Sequence, residues 1–196
     1  MLFRSATTNI GVMALTSSSP FAPDILLPQF SLPDVTTGHT VTAKDFAASP
    51  LLVVIFLCRH CPYVVHVLPE ILRLAADYLP RGTAFVGISS NDAASYPDDS
   101  PENLARMARD HVIPFPVLHD ASQEAARAFE AACTPEFYVY DAGRTLRYHG
   151  RLDGSTPGNG QPCDGSELRR ALDTLLAGRP LVETQHPSMG CNIKWK

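Results

Sequence analysis

The chain has 196 residues, of which 45% are hydrophobic and 18% charged, and its formal net charge is −4. This composition is ordinary for a folded domain that builds its own hydrophobic core. The basic residues are scattered along the chain, which argues against nucleic acid or an anionic membrane as a partner. No apolar stretch approaches the roughly eighteen residues that a membrane span requires.

The first 26 residues are rich in Ser, Thr and Pro and show no periodicity, so we expect a loosely attached arm over 1–26. The apolar patch at 10–15 is too short for a secretory signal and lacks a small-residue cleavage site. Five cysteines are too few for a disulfide scaffold, and an odd number leaves one unmatched. We therefore expect the reducing cytoplasm and a few chemically active thiols.

The first predicted elements are a β-hairpin, a buried strand and a helix. Residues 28–35 alternate weakly, and a turn at 36–39 leads to a second short strand at 40–43. Residues 51–57 are apolar throughout, as expected of a strand that is buried on both faces. Apolar residues over 64–79 then fall on one helical stripe, which predicts a helix directly after the strand.

The later elements alternate in type and carry capping signals. Ser100 precedes a proline and has the pattern of an N-cap. Asp120 with Gln123, and Asp164 with Glu167, have the spacing of capping boxes at the starts of two more helices. The predicted strands are 83–89, 115–118, 137–140 and 145–148, and the predicted helices are 101–111, 120–131 and 165–177.

This order of elements predicts the fold class. Strands that alternate with helices favour a mainly parallel sheet covered on both faces, and the last hairpin adds antiparallel strands. We therefore expect an α/β protein with three layers (α/β/α) and a mixed sheet, an N-terminal β-hairpin extension and a C-terminal tail. The expected organisation is the arm at 1–26, one domain at 27–180 and a tail at 181–196 that packs on the domain.

The run Cys58-Arg59-His60-Cys61 lies where the buried strand should end and the helix begin. A thiol attacks as its thiolate, and the unpaired N–H groups and the dipole at a helix N-terminus favour that anion. We expect Cys58 to be the exposed nucleophile and Cys61, one turn into the helix, to be the partly buried resolving thiol. The cations of His60 and Arg59 should lower the pKa of Cys58 and make the pair more oxidising.

A C-x-x-C pair is also half of a zinc site, and His60 and His66 lie nearby in the sequence. A structural zinc normally draws on a second close pair, whereas the other three cysteines are singletons. We therefore expect neither a metal nor another cofactor. A zinc or copper site built on the pair and a histidine remains as an alternative.

Six segments carry a resemblance to a known family. They are 30–34 (FSLPD), 58–64 (CRHCPYV), 99–102 (DSPE), 132–137 (ACTPEF), 150–153 (GRLD) and 190–196 (GCNIKWK). In these segments the chain resembles the redoxin members of the thioredoxin superfamily, which are related to the alkyl hydroperoxide reductase and thiol-specific antioxidant proteins. It looks specifically like their peroxiredoxin-like branch of the thiol–disulfide type.

The resemblance implies a thioredoxin fold, with Cys58 and Cys61 as the redox pair and Pro135 as a cis-proline in a loop that packs against them. In such folds the backbone just before that proline, here Thr134, receives the substrate chain as an added strand. Cys133 is then either a third reactive thiol or a small buried apolar residue, and the sequence leaves both open.

The chain departs from true peroxiredoxins around the reactive cysteine. Their peroxidatic cysteine has a Thr three residues earlier and a Pro seven residues earlier. Ile55 and Leu51 occupy those places relative to Cys58. Relative to Cys61, the residues there are Cys58 and Val54. The hydroxyl that would orient a peroxide is missing, which argues against efficient peroxidase action.

Cys191 lies beyond the last predicted helix, in a tail that ends with cationic and aromatic residues. In one hypothesis the tail folds back, and Cys191 exchanges with Cys58 or with Cys133. In the other, Trp195 and Ile193 dock as a packed cap and Cys191 takes no part. Apolar residues in a tail usually pack, which favours the second hypothesis.

The sequence thus predicts an enzyme, a thiol–disulfide oxidoreductase that works by dithiol exchange through Cys58 and Cys61. The alternatives are a peroxide-reducing redoxin that attacks with Cys58, a non-catalytic metal-binding protein and a thioredoxin-like interaction module. Expected partners are protein or small-molecule thiols and disulfides, with a thioredoxin- or glutathione-type reductant. The protein itself is expected to be a monomer or a homodimer.

Overall fold

The computed structural model describes residues 15–20, 22 and 24–196, so most of the predicted arm, including 10–14, lies outside the described residues. The strands are β1 (Leu15–Ser17), β2 (Ser31–Pro33), β3 (Thr40–Thr42), β4 (Leu51–Phe56), β5 (Thr83–Ser89), β6 (Val117–His119), β7 (Cys133–Thr134), β8 (Glu136–Tyr140), β9 (Leu146–Gly150) and β10 (Met189–Asn192). The α-helices are α1 (Pro62–Tyr78), α2 (Pro101–Asp110), α3 (Glu124–Ala128) and α4 (Ser166–Leu176). Short 3-10 helices cover Ala43–Phe46, Leu79–Arg81 and Pro97–Asp99.

The central sheet has five strands in the order β6-β5-β4-β8-β9. Strand β4 pairs in parallel with β5 and antiparallel with β8, so that Val54 lies between Val86 and Tyr138. All six residues of β4 are buried, as its continuous apolar run predicts. The mixed sheet is therefore confirmed, and β2 and β3 form the predicted N-terminal hairpin.

Apolar side chains cover both faces of this sheet. Val53 and Ile55 belong to a cluster that includes residues of α1, α2 and α4. Val54 and Phe56 belong to a second cluster, which includes residues of α3. The predicted three-layer α/β/α arrangement is thus confirmed. Within the described part of the chain, no helix combines the length and apolarity needed to cross a membrane.

A second, small sheet joins the two ends of the chain in the order β1-β10-β7. The tail strand β10 lies in the middle and pairs antiparallel with both neighbours, and Cys191 faces Leu15 on one side and Thr134 on the other. Ser18 and Ser188 extend the first pairing by a backbone hydrogen bond of 2.9 Å. The tail therefore packs on the domain as a hydrogen-bonded strand, which its sequence did not indicate.

The helix predicted over 120–131 is short, and its capping box is absent. Gln123 has a left-handed backbone (φ 65°), and its amide group donates to the carbonyl oxygens of Ser90 and Lys194 at 2.7 and 2.8 Å. The buried Asp120 carboxylate accepts from the Ser90 hydroxyl and from the N–H of Ala126. Both side chains thus hold neighbouring segments, one of them in the tail, instead of capping each other.

The capping box predicted for the last helix is also wrong. The Asp164 carboxylate accepts a hydrogen bond from the N–H of Ser166, but Glu167 does not reach back to it. Glu167 instead accepts two hydrogen bonds from the Arg151 guanidinium at 2.9 and 2.6 Å and lies 3.0 Å from His186. A tertiary ion pair therefore replaces the local cap.

A buried carboxylate fixes the loop that leads into β8. One oxygen of Glu136 accepts from the N–H groups of Ala132 and Cys133 at 2.8 and 3.0 Å. The other accepts from the Tyr138 hydroxyl at 2.7 Å and lies 2.6 Å from Nε2 of His149. A buried charge is tolerated only when it is paired and hydrogen-bonded, and Glu136 meets both conditions.

Replacing Glu136 by Ala should destabilise the protein by about 3–5 kcal/mol, since it removes one member of a buried pair and leaves buried donors without an acceptor. Urea unfolding measures this change in the free energy of unfolding. The control is Glu183→Ala, because Glu183 is exposed and pairs only with the exposed Arg170. A Glu136→Ala protein as stable as the control would contradict this role.

Candidate functional site

Both cysteines of the C-x-x-C pair are buried. Cys58 lies two residues after β4 and is 1% exposed, and Cys61 is the N-cap of α1 and is 0% exposed. The expectation of an exposed Cys58 opening the helix is therefore wrong. The helix starts only at Pro62, because proline is favoured at the first helical position and has no N–H to leave unpaired.

Thr134 touches both sulfurs of the pair. Its hydroxyl lies 3.4 Å from Sγ of Cys58, and its carbonyl oxygen accepts from the Cys61 thiol at 3.2 Å. Neither cysteine is in a disulfide in this structure. The Thr134–Pro135 peptide bond is cis, so this loop turns directly beside the pair.

Cys191 of the tail strand completes the site. Its Sγ lies 2.7 Å from Sγ of Cys61, and it is 3% exposed. Ile193 is buried, whereas Trp195 is exposed and its ring lies under the Arg127 guanidinium. The tail thus docks through Ile193 but not through Trp195, and it brings Cys191 to Cys61, not to Cys58 or Cys133 as the first hypothesis proposed.

The buried Asp99 organises the loop between the two cysteines. Its Oδ1 accepts from the N–H groups of Arg59 and His60 at 2.7 and 3.3 Å, and its Oδ2 accepts from the Asn91 amide at 2.7 Å. Sequence reasoning included Asp99 in a family-like segment but did not assign it to the site. The only available signal was its membership of that segment, because it is forty positions from Arg59.

The two cations of the motif face carboxylates. Nδ1 of His60 lies 2.5 Å from Oδ2 of Asp99, and its ring stacks on Tyr96 at 5.9 Å. The contact with Asp99 raises the pKa of His60, although burial opposes it. Arg59 lies 3.4 Å from the exposed Asp98. Both cations are therefore neutralised locally, which the sequence pattern did not reveal.

The negative charge of the reduced pair is favoured on Cys61. Contacts with the Cys191 and Cys58 thiols, together with a hydrogen bond from the Val64 N–H, lower the pKa of Cys61 well below its ordinary range. The expected lowering at Cys58 is wrong, because the contact with Cys61, burial and the Asp99 charge all raise the pKa of Cys58.

The remaining two cysteines, Cys133 and Cys163, lie in other surroundings. Cys133 is fully buried, and burial together with the nearby Glu136 raises its pKa, so it behaves as a small apolar residue. Cys163 is half-buried, and its Sγ is 3.9 Å from the carbonyl oxygen of His66. Of the two interpretations left open for Cys133, the packing one agrees with this environment.

Three side chains of the site could hold a metal ion. The ligand atoms of Cys58, His60 and Asp99 all lie within 4.8 Å of one another. Sulfur, nitrogen and carboxylate oxygen are ligands that zinc accepts. However, the Asp99 oxygens already accept three hydrogen bonds. The sequence predicted, as an alternative, a metal site formed by both cysteines of the pair and a histidine. The cluster in the structure contains Asp99 instead of Cys61.

The His60–Asp99 pair should give the protein a defined pH dependence. The raised pKa of His60 contributes stability fully below its ordinary value of about 6.5 and loses it as pH rises through the folded-state pKa. Burial alone would raise the pKa of Asp99, but His60 and Asn91 hold it below its ordinary value of about 3.9. The pair therefore stabilises the fold most between about pH 4 and 6.5.

Replacing Asp99 by Asn should lower the pKa of His60, which NMR titration of the imidazole measures directly. The stability advantage of the wild type over this variant should be largest between about pH 4 and 6.5 and should shrink at alkaline pH. Asp98→Asn is the control, because Asp98 is exposed and contacts Arg59 only. An unchanged His60 titration in Asp99→Asn would refute the assignment.

Solved structures resemble this chain over most of its length. A solved structure of an uncharacterised conserved protein from Geobacillus kaustophilus is 48% identical, with a TM-score of 0.92, and the match covers 94% of this chain and 97% of that one. A solution structure named "Putative Thioredoxin" from Neisseria meningitidis is 25% identical, with a TM-score of 0.58, over 77% of this chain and 89% of that one. The thioredoxin fold is thus confirmed.

A curated protein of Mycobacterium tuberculosis named "Putative peroxiredoxin" is 25% identical over 133 residues, which are 68% of this chain and 76% of that protein. The AhpC/TSA family matches residues 24–149, well over half of the chain. The resemblance inferred from the sequence segments is therefore confirmed. The chain belongs to the AhpC/TSA family of thioredoxin-fold redoxins.

Proposed function

We propose that this protein is a thiol–disulfide oxidoreductase that works by dithiol exchange through Cys58 and Cys61. The observation that carries the proposal is that Thr134 contacts both sulfurs of the C-x-x-C pair at the start of α1, Cys58 at 3.4 Å and Cys61 at 3.2 Å. Two thiols held against the same residue at this spacing can alternate between a dithiol and a disulfide. Membership of a redoxin family supports the same chemistry.

The contacts of the reduced pair suggest how it reacts. Cys58 donates its proton to the Cys61 thiolate as its own sulfur attacks one sulfur of a substrate disulfide. A mixed disulfide forms on Cys58, and the departing substrate sulfur leaves as a thiolate. Cys61 then attacks Cys58, passes its proton to the second substrate sulfur and closes the Cys58–Cys61 disulfide. The substrate gains two electrons and the pair loses two.

The raised pKa of Cys58 does not prevent this attack. A thiol of high pKa is intrinsically more nucleophilic than one of low pKa, provided that a base removes its proton. Cys61 is that base in its thiolate form, which its lowered pKa favours. His60 and Asp99 act as positioning residues, because they fix the backbone of the loop between the two cysteines.

Substrate access is the main constraint on the partners. Both sulfurs are covered, and the strand edge at Thr134 that would receive a substrate chain is occupied by β10. We therefore propose small disulfides as the faster substrates, and protein disulfides as slower ones that require local opening. A thioredoxin- or glutathione-type thiol would return the pair to the reduced state, and we propose the reducing cytoplasm as the compartment.

A peroxide reductase is the second candidate, and the family match and the peroxiredoxin name of the mycobacterial relative favour it. Against it, the position three residues before Cys58 holds Ile55, whose side chain is buried in the core and offers no hydroxyl. Stopped-flow oxidation by hydrogen peroxide separates the two functions. Peroxide oxidation of the pair that is faster than its oxidation by a small disulfide would favour the peroxidase.

The cluster of Cys58, His60 and Asp99 gives a specific basis for the metal-binding alternative. Metal analysis of the purified protein tests it. One zinc or copper ion per chain, lost in Asp99→Asn, would favour binding over catalysis. Substoichiometric metal in both proteins would favour the redox function.

Disulfide reductase activity should depend on both members of the pair. With a small aromatic disulfide as substrate and excess reductant, we expect Cys58→Ser to abolish turnover. Cys61→Ser should also lose turnover, because it removes both the base for Cys58 and the resolving thiol. Cys163→Ser is the matched control and should retain full activity. Turnover by Cys58→Ser at the wild-type rate would contradict the proposal.

A further inference from the structure

We propose that Cys191 is a third redox-active thiol, which exchanges with Cys61 while β10 occupies the strand edge beside the pair. This inference rests on the proposed dithiol function, because it takes the Cys58–Cys61 disulfide as its starting state. The tail would then supply a thiol of the same chain, Cys191, that reacts with the pair as a substrate thiol does.

The tail lies where an added substrate strand would lie. Extended peptides bind an exposed sheet edge by main-chain hydrogen bonds, with side chains set by the register. Here β10 pairs antiparallel with β7, and the register sets Cys191 opposite Thr134 and Asn192 opposite Cys133. The residue facing the position before the cis-proline is therefore a cysteine of the chain itself.

This register brings the Cys191 sulfur to the pair. Its distance of 2.7 Å from Sγ of Cys61 has to shrink by less than about 1 Å to reach a disulfide bond length of about 2.05 Å. A substrate disulfide from solvent has to enter a covered site to make the same approach, because Cys58 and Cys61 are 1% and 0% exposed. The Cys191 sulfur is thus already in contact with the buried pair in the structure.

The docking of β10 depends on a residue without a side chain. A Cβ atom at Gly190 would lie 2.0 Å from the carbonyl oxygen of Thr134 and 2.7 Å from its carbonyl carbon, both of them backbone atoms that cannot move aside. Only glycine permits this approach. Gly190 is therefore the position at which docking can be weakened while all three cysteines are kept.

Further contacts fix the strand on its C-terminal side. The N–H of Ile193 donates to the carbonyl oxygen of Ala132 at 3.1 Å, and the N–H of Lys194 donates to the Asn91 side chain at 2.8 Å. Asn91 also donates to Asp99, so the tail and the loop between the cysteines share one hydrogen-bond network. These contacts hold the Cys191 sulfur in a defined place, which raises its effective concentration at Cys61.

The exchange balances within the protein. Cys191 loses its proton and attacks Sγ of Cys61 in the Cys58–Cys61 disulfide. The Cys61–Cys191 bond forms, the Cys58–Cys61 bond breaks, and Cys58 leaves as a thiolate that takes up the proton. No net oxidation occurs, because one disulfide replaces another. The step restores a Cys58 thiol, which can attack a new substrate while the oxidising equivalent rests on the tail.

The electrostatics of the site agree with this direction. The contact with Cys61 is the largest cause that raises the pKa of Cys191. Once Cys61 is in a disulfide it carries no negative charge, so this cause is removed. Lys194 acts in the opposite sense and lowers the pKa of Cys191. The proton is then taken by Cys58, whose own surroundings favour its protonated form.

Mass-spectrometric disulfide mapping after equilibration with oxidised glutathione tests the proposal. We expect the wild type to contain both Cys58–Cys61 and Cys61–Cys191 disulfides. Cys58→Ser should contain neither, because the exchange starts from the Cys58–Cys61 disulfide, and Cys191→Ser should contain Cys58–Cys61 alone. Absence of a Cys61–Cys191 disulfide from the wild type, or its presence at the wild-type level in Cys58→Ser, would overturn the proposal. Failure of Cys191→Ser to form Cys58–Cys61 would instead overturn the proposed function, so the two failures are distinguishable.

Gly190→Ala tests whether the docking of β10 is what directs Cys191 to Cys61, rather than unspecific oxidation of the two thiols. With all three cysteines present, the fraction of Cys61–Cys191 disulfide should fall by about tenfold, whereas Cys58–Cys61 should persist. Gly154→Ala is the matched control, since a Cβ there meets only the Arg151 side chain at 3.6 Å. An unchanged Cys61–Cys191 fraction in Gly190→Ala would show that docking of β10 does not direct the exchange. Circular dichroism confirms that each variant is folded.

Discussion

The hydrogen bonding of β10 to β7 determines what surrounds the cysteine pair. Strand β7 is only Cys133–Thr134, and its outer edge would present unpaired backbone groups beside the cis-proline. The tail strand covers that edge, and β1 covers the tail strand in turn. As a result the pair is sealed from solvent, and a third sulfur from the same chain takes the position next to it.

The second constraint is the buried carboxylate of Asp99. Its oxygens accept backbone N–H groups of Arg59 and His60, so the loop between the cysteines has a fixed conformation. The same carboxylate faces His60 at 2.5 Å, and its charge adds to the Cys61 contact and burial in raising the pKa of Cys58. The Cys191 and Cys58 contacts lower the pKa of Cys61, at the N-terminus of α1, and this difference is the basis of the roles of nucleophile and base that we propose.

The features that the sequence predicted are those encoded by local patterns. The apolar run at 51–57 gave β4, the predicted strand at 83–89 has the bounds of β5, and Ser100 caps α2 through the N–H of Asn103. The cysteine pair at the end of β4 was recognised because strand and helix periodicities meet there. The predicted capping boxes were wrong where a side chain binds a distant residue instead, as Glu167 binds Arg151 and Gln123 binds the Lys194 carbonyl.

The features that escaped prediction depend on contacts between distant segments. Strand β7 is too short for periodicity to indicate it, so the pairing with β10 had no local signal. The contact between Cys61 and Cys191 spans 130 positions, and spacing alone cannot show which sulfur a folded tail reaches. The electrostatic role of Asp99 likewise arises from a loop that folds back on the motif from forty positions away.

Dithiol exchange is tested by the reduction potential of the Cys58–Cys61 couple, measured in glutathione or dithiothreitol redox buffers with thiol alkylation as the readout. We expect a reversible two-electron transition between about −120 and −270 mV, the range of thioredoxin-fold carriers. In Cys191→Ser the transition should be that of the pair alone. Failure of Cys58 and Cys61 to form a disulfide at any potential would refute dithiol exchange.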